Sequence, residues 1–323
     1  MKNQFHVYIA SCTPDGGIYH YLCEDGKMQF REKTHADRPM YLTVAEDRLY
    51  AVLRQPFEDS ENSGVCSWKI GRDGALSDPD EIISTDGRVG CHLTVAQNRI
   101  YVANYISGSV VMLPEGIVRH HEGKGPHPAR QEAAHTHFVG MTPDGRCLLA
   151  VDLGADTIFV YDPQLHLQRK IAMPAGHGCR HLAWSEDGKY VFCVNELAST
   201  VSTLCYENGA FTLLDTVPAL PENCAVDNTA AAIRVEGDML CVSQRGCDLL
   251  AVFTHKDGRL SQPVFVDTEG RDPRDFYIHG GYVFCANQSS DLVSVFTCED
   301  GKIQSKNLHL QIPAPLCVAV WQD

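Results

Sequence analysis

GCRHLAWSEDGKYVFCVNE, residues Gly178–Glu196, reads as a strand over His181–Ser185, a tight turn at Glu186-Asp187-Gly188 and a second strand over Tyr190–Val194. Apolar, β-branched and aromatic residues flank an Asp-Gly turn, as an antiparallel hairpin requires. The polar residues stand at the two open ends: Arg180 and His181 before the first strand, Asn195 and Glu196 after the second. A hairpin lays those ends side by side, so a guanidinium and a carboxylate come to one rim of one sheet.

The same unit recurs along the chain. Anchored on the residue that follows each Tyr/Val/Leu-rich strand, the series is Ser11, Leu53, Asn104, Asp152, Asn195, Ser243 and Asn287, at intervals of 42, 51, 48, 43, 48 and 44 residues. Most units add a preceding strand (MYLTVAED, CHLTVAQN, HFVGMTPDG), a following one (SVVML, TIFVYD, LLAVFT) and a weaker fourth (FTLLDTV, PVFVDT). Seven such units predict an all-β fold, a seven-bladed β-propeller of four-stranded antiparallel blades in one domain over residues 1–323, with no helix of note. The first unit lacks its inner strand, and the chain ends in an orphan strand at Pro315–Trp321. Pairing the orphan with HVYIAS closes the ring and removes two exposed sheet edges.

The bulk numbers narrow the function. A net charge of −14 disfavours nucleic acid and anionic membrane as partners. No stretch approaches the roughly 20 apolar residues of a membrane span, and the first residues, MKNQFHVYIASCTPDGG, show no signal peptide, so a cytoplasmic protein, monomeric or weakly self-associating, is expected. The 14 cysteines include no CxxC pair and several sit inside apolar runs (Cys193, Cys241, Cys285, Cys317), which predicts reduced, mostly buried thiols.

If the open ends of all hairpins share one face, that rim gathers Arg54 with Gln55, His92 with Asn104 and Tyr105, His135 and His137 with Asp152, Arg180 and His181 with Glu196, Gln244 and Arg245, and Arg274 with Gln288. The opposite rim carries only turn residues such as Pro143-Asp144-Gly145. The asymmetry places a site on the first rim. Pro114–Ala134 is the longest irregular segment, of a length usually functional or mobile. Its histidines (His120, His121, His127), with His135 and His137 beyond them, are too scattered for a zinc site, and a solvated loop is expected instead. Asp152, Asn195 and Asn287 occupy equivalent positions, which favours a structural role at strand ends.

Four segments carry a resemblance: HTHFVGMTPDGRCLLAVDLGADTIFVY (His135–Tyr161), GHGCRHLAWSEDGKYVFCVNELASTV (Gly176–Val201), AAIRV with SQRG (Ala231–Gly246), and PRDFYI with ANQSSDLVSVF (Pro273–Phe296). They resemble the lactonase family of seven-bladed propellers, which includes a bacterial 6-phosphogluconolactonase and is similar to the fungal 3-carboxy-cis,cis-muconate cyclase. The RHL…VNEL block, with 16 residues from Arg180 to Glu196, is its specific part. The resemblance implies catalytic roles for His137, Arg180, Glu196 and Arg245, with Arg274 and Gln288 nearby and His135 able to exchange roles with His137. His181, Arg54 and His92 complete the expected substrate-binding set. RLYAVLRQ departs from the family, where an Asn-Glu pair is common, and Arg54 adds positive charge there.

The implied chemistry is metal-independent and needs no cofactor. Glu196 or His137 would take a proton from water, Arg180 or Arg245 would stabilise the oxyanion, and surplus arginines suit a phosphate or carboxylate on a small anionic lactone. A muconate-type cyclisation, a non-catalytic scaffold and a calcium-dependent lactonase are the alternatives. The last would draw on Glu196 and Asp152.

Overall fold

The computed structural model describes residues 4–323. Seven antiparallel sheets follow one another along the chain, each running from an inner strand outward. The inner strands are Pro39–Ala45, Gly90–Ala96, Thr136–Met141, Cys179–Trp184, Thr229–Glu236 and Pro273–His279, which begin blades 1 to 6, and Pro315–Trp321. Each contacts its two neighbours, so the ring is complete. The last belongs to blade 7, whose other strands come from the start of the chain: Pro315–Trp321 pairs with Gln4–Ser11, with Val7 opposite Val320 and Ile9 opposite Val318. The expected closure is the observed one. A single three-residue 3-10 turn, Gln288–Ser290, is the only helical element among the described residues.

The strand pattern dictates where the core lies. Alternate residues of each strand face opposite sides of the blade, and both sides are apolar, so the buried side chains fall into seven clusters, one between each adjacent pair of blades. Phe5, Val7 and Ile9 pack on Phe284, Val293 and Val295 across one such gap. Tyr8, Leu42, Leu49 and Trp68 fill the next. Buried amides tie the strand ends as expected: Asn195 Nδ2 donates to Thr200 Oγ1 and Ser202 Oγ, each at 2.9 Å, and Asn287 Nδ2 to Ser294 Oγ at 2.9 Å.

Three expectations are corrected. The segment Pro114–Ala134 is not wholly irregular, because Ile117–His120 forms the outer strand of blade 2. His121, expected in a solvated loop, is fully buried: its Nδ1 lies 2.9 Å from Asp152 Oδ2, and its ring stacks on Phe159. Asp152 stands where blades 2, 4 and 6 have Asn, and its second oxygen accepts the backbone N–H groups of His135 and Ala155. A buried carboxylate needs hydrogen-bonding partners, and the loop supplies one in His121. The thiols also depart from expectation: Cys224 and Cys247 form a disulfide on the rim of blade 5, while the other twelve cysteines are free, most of them buried.

Candidate active site

Every inner strand departs from regular pairing near its start. The register shifts between Pro39 and Tyr41, Gly90 and His92, Thr136 and Phe138, Cys179 and His181, Ala230 and Ile233, and Pro273 and Asp275. In blade 7, Ala10 pairs with Cys317 but Ser11 with Pro315. A bulge leaves one residue without a partner and turns its side chain out of the alternation. The residues so released are Met40, Cys91, His137, Arg180, Arg274 and Leu316, with Ala231 at the corresponding place in blade 5. All but Ala231 line the channel mouth or the narrow crevice beneath it. One repeated backbone irregularity therefore builds the floor of the site.

Above that floor is a cavity of about 320 Å³. Arg54, Arg130, Arg245 and Arg274 line it, with Glu196 its one carboxylate and His137 its one imidazole. Tyr105, Val89 and Ile106 form an apolar wall.

The Gly178–Glu196 hairpin positions the centre. Asp156 accepts the backbone N–H groups of Gly176 and Gly178, both at 2.7 Å, and so shapes the turn into the strand. Gly178 has φ +64°, and a Cβ there would come within 2.6 Å of Leu197 Cγ, so glycine is required. The Glu196 N–H then donates to Gly178 O at 2.7 Å. Arg180 Nε meets Glu196 Oε2 at 2.9 Å, Arg245 Nη2 meets the same oxygen at 3.2 Å, and Arg130 Nη2 meets Oε1 at 2.5 Å. Burial pushes the Glu196 carboxyl up, but Arg245, Arg180 and Arg130 outweigh it and hold the group well below the usual carboxylate range. Glu196 is thus a clamped anion, which disfavours the expected role of proton acceptor. Arg180 is buried beneath the carboxylate and outside the main cavity, donating also to Ala231 O at 2.7 Å. Burial, with Arg245 and Arg274 alongside, pushes its pKa down to about 9.

The other expected residues separate clearly. His137, not His135, reaches the cavity. His135 is stacked behind Tyr105, with ring centroids 4.5 Å apart, and its Nε2 faces Glu132. His92 and His181 do not line the cavity either, because the residue after each bulge lies one layer deeper. There His92 packs against Tyr41, Phe138 and His181 at 4.2, 4.3 and 5.1 Å between ring centroids. His181 Nε2 accepts from Arg180 Nη1 at 3.2 Å. Gln288 lines a separate polar depression with Asp272 and Ser289, bordered by Arg245, and is not among the residues that line the cavity. Gln244 is fully buried and binds Asn228. Asp152 pairs with His121 and offers the cavity no second carboxylate. The donor set that calcium would need is therefore not assembled, and among the described residues no group of three or more His, Cys, Asp or Glu is placed to hold a metal.

Arg130 is the residue that the sequence did not single out. It comes from the loop between blades 2 and 3, and only the length of that loop hinted at a role. Cys91 and Met40 were equally hidden, but aligning the repeats on the apolar residue that follows each bulge (Leu42, Leu93, Val139, Leu182, Ile233, Phe276, Val318) would have exposed both.

The buried histidines make a stability prediction. Burial, reinforced by nearby arginines, holds His92, His137 and His181 well below the ordinary value of 6.5. The unfolded chain binds protons at these positions as pH falls through 6.5, while the folded chain does not. Stability is therefore complete above that pH and declines below it, by about 1.4 kcal/mol per unit for each histidine. Urea midpoints at pH 7.5 and 5.5 should show a marked fall, and equal midpoints would contradict the burial.

Comparison with known proteins identifies the family. The family model "Lactonase, 7-bladed beta-propeller" matches residues 6–320. The chain belongs to that family. An uncharacterized protein of Staphylococcus saprophyticus is 32% identical over 312 residues, covering 88% of this chain and 89% of the relative. Among solved structures, a candidate 6-phosphogluconolactonase of Bacteroides fragilis aligns with TM-score 0.90 and 25% identity, covering 99% of this chain and 98% of its own. The periplasmic gluconolactonase of Pseudomonas aeruginosa aligns with TM-score 0.90 and 26% identity over 99% of both chains. Within the lactonase propeller family, then, this chain has sugar-lactonase-like structural neighbours. Among the described residues no helix is long and apolar enough to cross a membrane.

Proposed function

We infer that the chain is a metal-independent hydrolase of an anionic sugar lactone, of the 6-phosphogluconolactonase type. The observation that carries the reading is the cavity itself: four arginines and one already neutralised carboxylate, in a protein of net charge −14. Such local reversal of charge favours a small anion. Family membership and the gluconolactonase-like neighbours support the reaction class. The twelve free thiols favour a reducing compartment such as the cytoplasm.

In this reading His137 is the proton acceptor. It is held neutral by burial and by Arg180, it lines the cavity, and Glu196 favours the imidazolium that forms when water gives up its proton. Attack of the water oxygen on the lactone carbonyl makes a tetrahedral oxyanion. In this reading Arg245, which lines the cavity beside Glu196, stabilises it. Collapse breaks the ring C–O bond, and His137 returns the proton to the departing ring oxygen. Glu196 and Arg180 hold this constellation in place.

The test is initial-rate hydrolysis of 6-phosphogluconolactone, gluconolactone and a carboxymuconolactone in the presence of EDTA. The reading expects chelator-resistant hydrolysis of a sugar lactone above the spontaneous rate. Hydrolysis of none, or loss of activity on chelation, would overturn it. Activity confined to the carboxymuconolactone would assign the cavity to the cyclase-type reaction instead.

A further inference from the structure

The arginines of the cavity fall into two groups. Arg130, Arg180 and Arg245 share the single charge of Glu196. Arg54 and Arg274 have no carboxylate partner among the described residues, although both line the same cavity. Among the described residues the Arg54 guanidinium makes one polar contact, with the Met40 thioether, Nη1 to Sδ at 3.9 Å, and sulfur is a weak acceptor. Arg274 makes no hydrogen bond or ion pair among the described residues. Nearby Arg38 is different, being held by Asp37 at 3.1 Å.

The two free guanidiniums converge on one place. Met40 Sδ contacts both Arg54 and the Cys12 thiol, at 3.9 and 3.5 Å. Burial pushes the Cys12 thiol up, and Arg54 and Arg274 are the first two groups that oppose it. Burial, then Arg245, presses Arg274 down from the ordinary arginine value, a strain that a bound anion would relieve. They enter from blades 1 and 6, across blade 7, where the bulged residue is the apolar Leu316 and no carboxylate among the described residues forms an ion pair with either.

We propose that Arg54 and Arg274 form an anion subsite, distinct from the Glu196 clamp, that takes the terminal phosphate or carboxylate of the substrate while its lactone carbonyl faces His137 and Arg245. Two uncompensated positive charges match a phosphate monoester, which carries about −1.5 to −2 near neutral pH. The proposal rests on the lactonase reading for the orientation of the substrate. It adds the group that selects among lactones.

The experiment uses three sugar acids that differ only at the sixth carbon: gluconate (hydroxyl), 6-phosphogluconate (phosphate) and glucarate (carboxylate). Binding is measured by calorimetry to the wild type, Arg54→Gln, Arg274→Gln and the charge-retaining Arg54→Lys. Arg54 is exposed, so its replacement does not threaten the fold. The wild type should prefer 6-phosphogluconate to gluconate by about tenfold or more, each glutamine variant should erase most of that preference, and Arg54→Lys should recover part of it. An arginine-dependent gain with either acid charged at the sixth carbon supports the subsite, and the larger gain names the group. No preference in the wild type, or a preference untouched by both glutamine variants, would overturn it. Lactone hydrolysis is read separately. Arginine-dependent preference without turnover contradicts only the proposed reaction, and turnover without preference contradicts only the subsite.

Discussion

Replacing Glu196 by Gln should lower folding stability by about 3–5 kcal/mol, and not merely remove activity. The residue is 2% exposed and its carboxylate is bonded by three guanidiniums, one of them from Arg180, also 2% exposed. Glutamine keeps the shape but leaves those charges without a counter-ion, and an uncompensated buried charge costs more than the pair contributes. The loss should shrink when Arg180 is replaced by Met in the same protein, because the two sites are in contact and their effects do not add. Urea unfolding of the two single variants and the double variant measures this coupling. A Glu196→Gln midpoint within about 1 kcal/mol of the wild type would show that the clamp carries little strain, and would return Glu196 to candidacy as a base.

The second large effect is catalytic. His137→Gln should reduce kcat by roughly 10²–10⁴-fold with KM little changed, the range expected when a positioned proton acceptor is removed. The pH profile should carry the same signature. A base whose conjugate acid is held well below 6.5 loses activity only in acid, so the acid limb of kcat/KM in the wild type should lie below histidine's ordinary value. A limb at or above 6.5, or a His137→Gln variant of near-normal kcat, would contradict the role. His135→Gln, by contrast, removes a ring stacked on Tyr105, so its effect should be far smaller.

How far the chain could be read in advance follows from which physical signals are local. Blade number and closure were legible because strand alternation and Asp-Gly turns repeat at a near-constant period, and because Pro315–Trp321 had no partner other than the first strand. Arg180 and Glu196 were legible because hairpin geometry alone brings position 180 to position 196. The bulges were not: one extra residue per inner strand is invisible to a two-residue period, yet it decides that His137 and Arg274 enter the cavity while His92 and His181 sink below it. Gln288 was misplaced for a similar reason, since the short 3-10 turn that begins with it carries it to the neighbouring depression. Arg130 and His121 arrive from a loop whose path depends on partners far away in sequence, a carboxylate in blade 4 and another in blade 3. The disulfide likewise joins cysteines 23 residues apart across two rim loops, and no spacing pattern announces it.

The same considerations explain why Glu196 changed meaning. A lone carboxylate opposite one arginine is a fair candidate for proton transfer. A carboxylate gripped by three arginines is an anchor, and in the proposed reaction the proton chemistry is assigned to the neutral imidazole beside it.

The central claim is that an anionic sugar lactone is opened over the bulged residues, with its acyl end at His137 and its charged end at the unpaired arginines. The measurement that tests it most directly is a crystal structure of the protein with 6-phosphogluconate, the hydrolysis product. The account predicts the product carboxylate within hydrogen-bond distance of Arg245 and beside His137, and the phosphate on Arg54 and Arg274. A product bound in the depression around Gln288, or bound in the cavity with its phosphate on the Glu196 side, would contradict it.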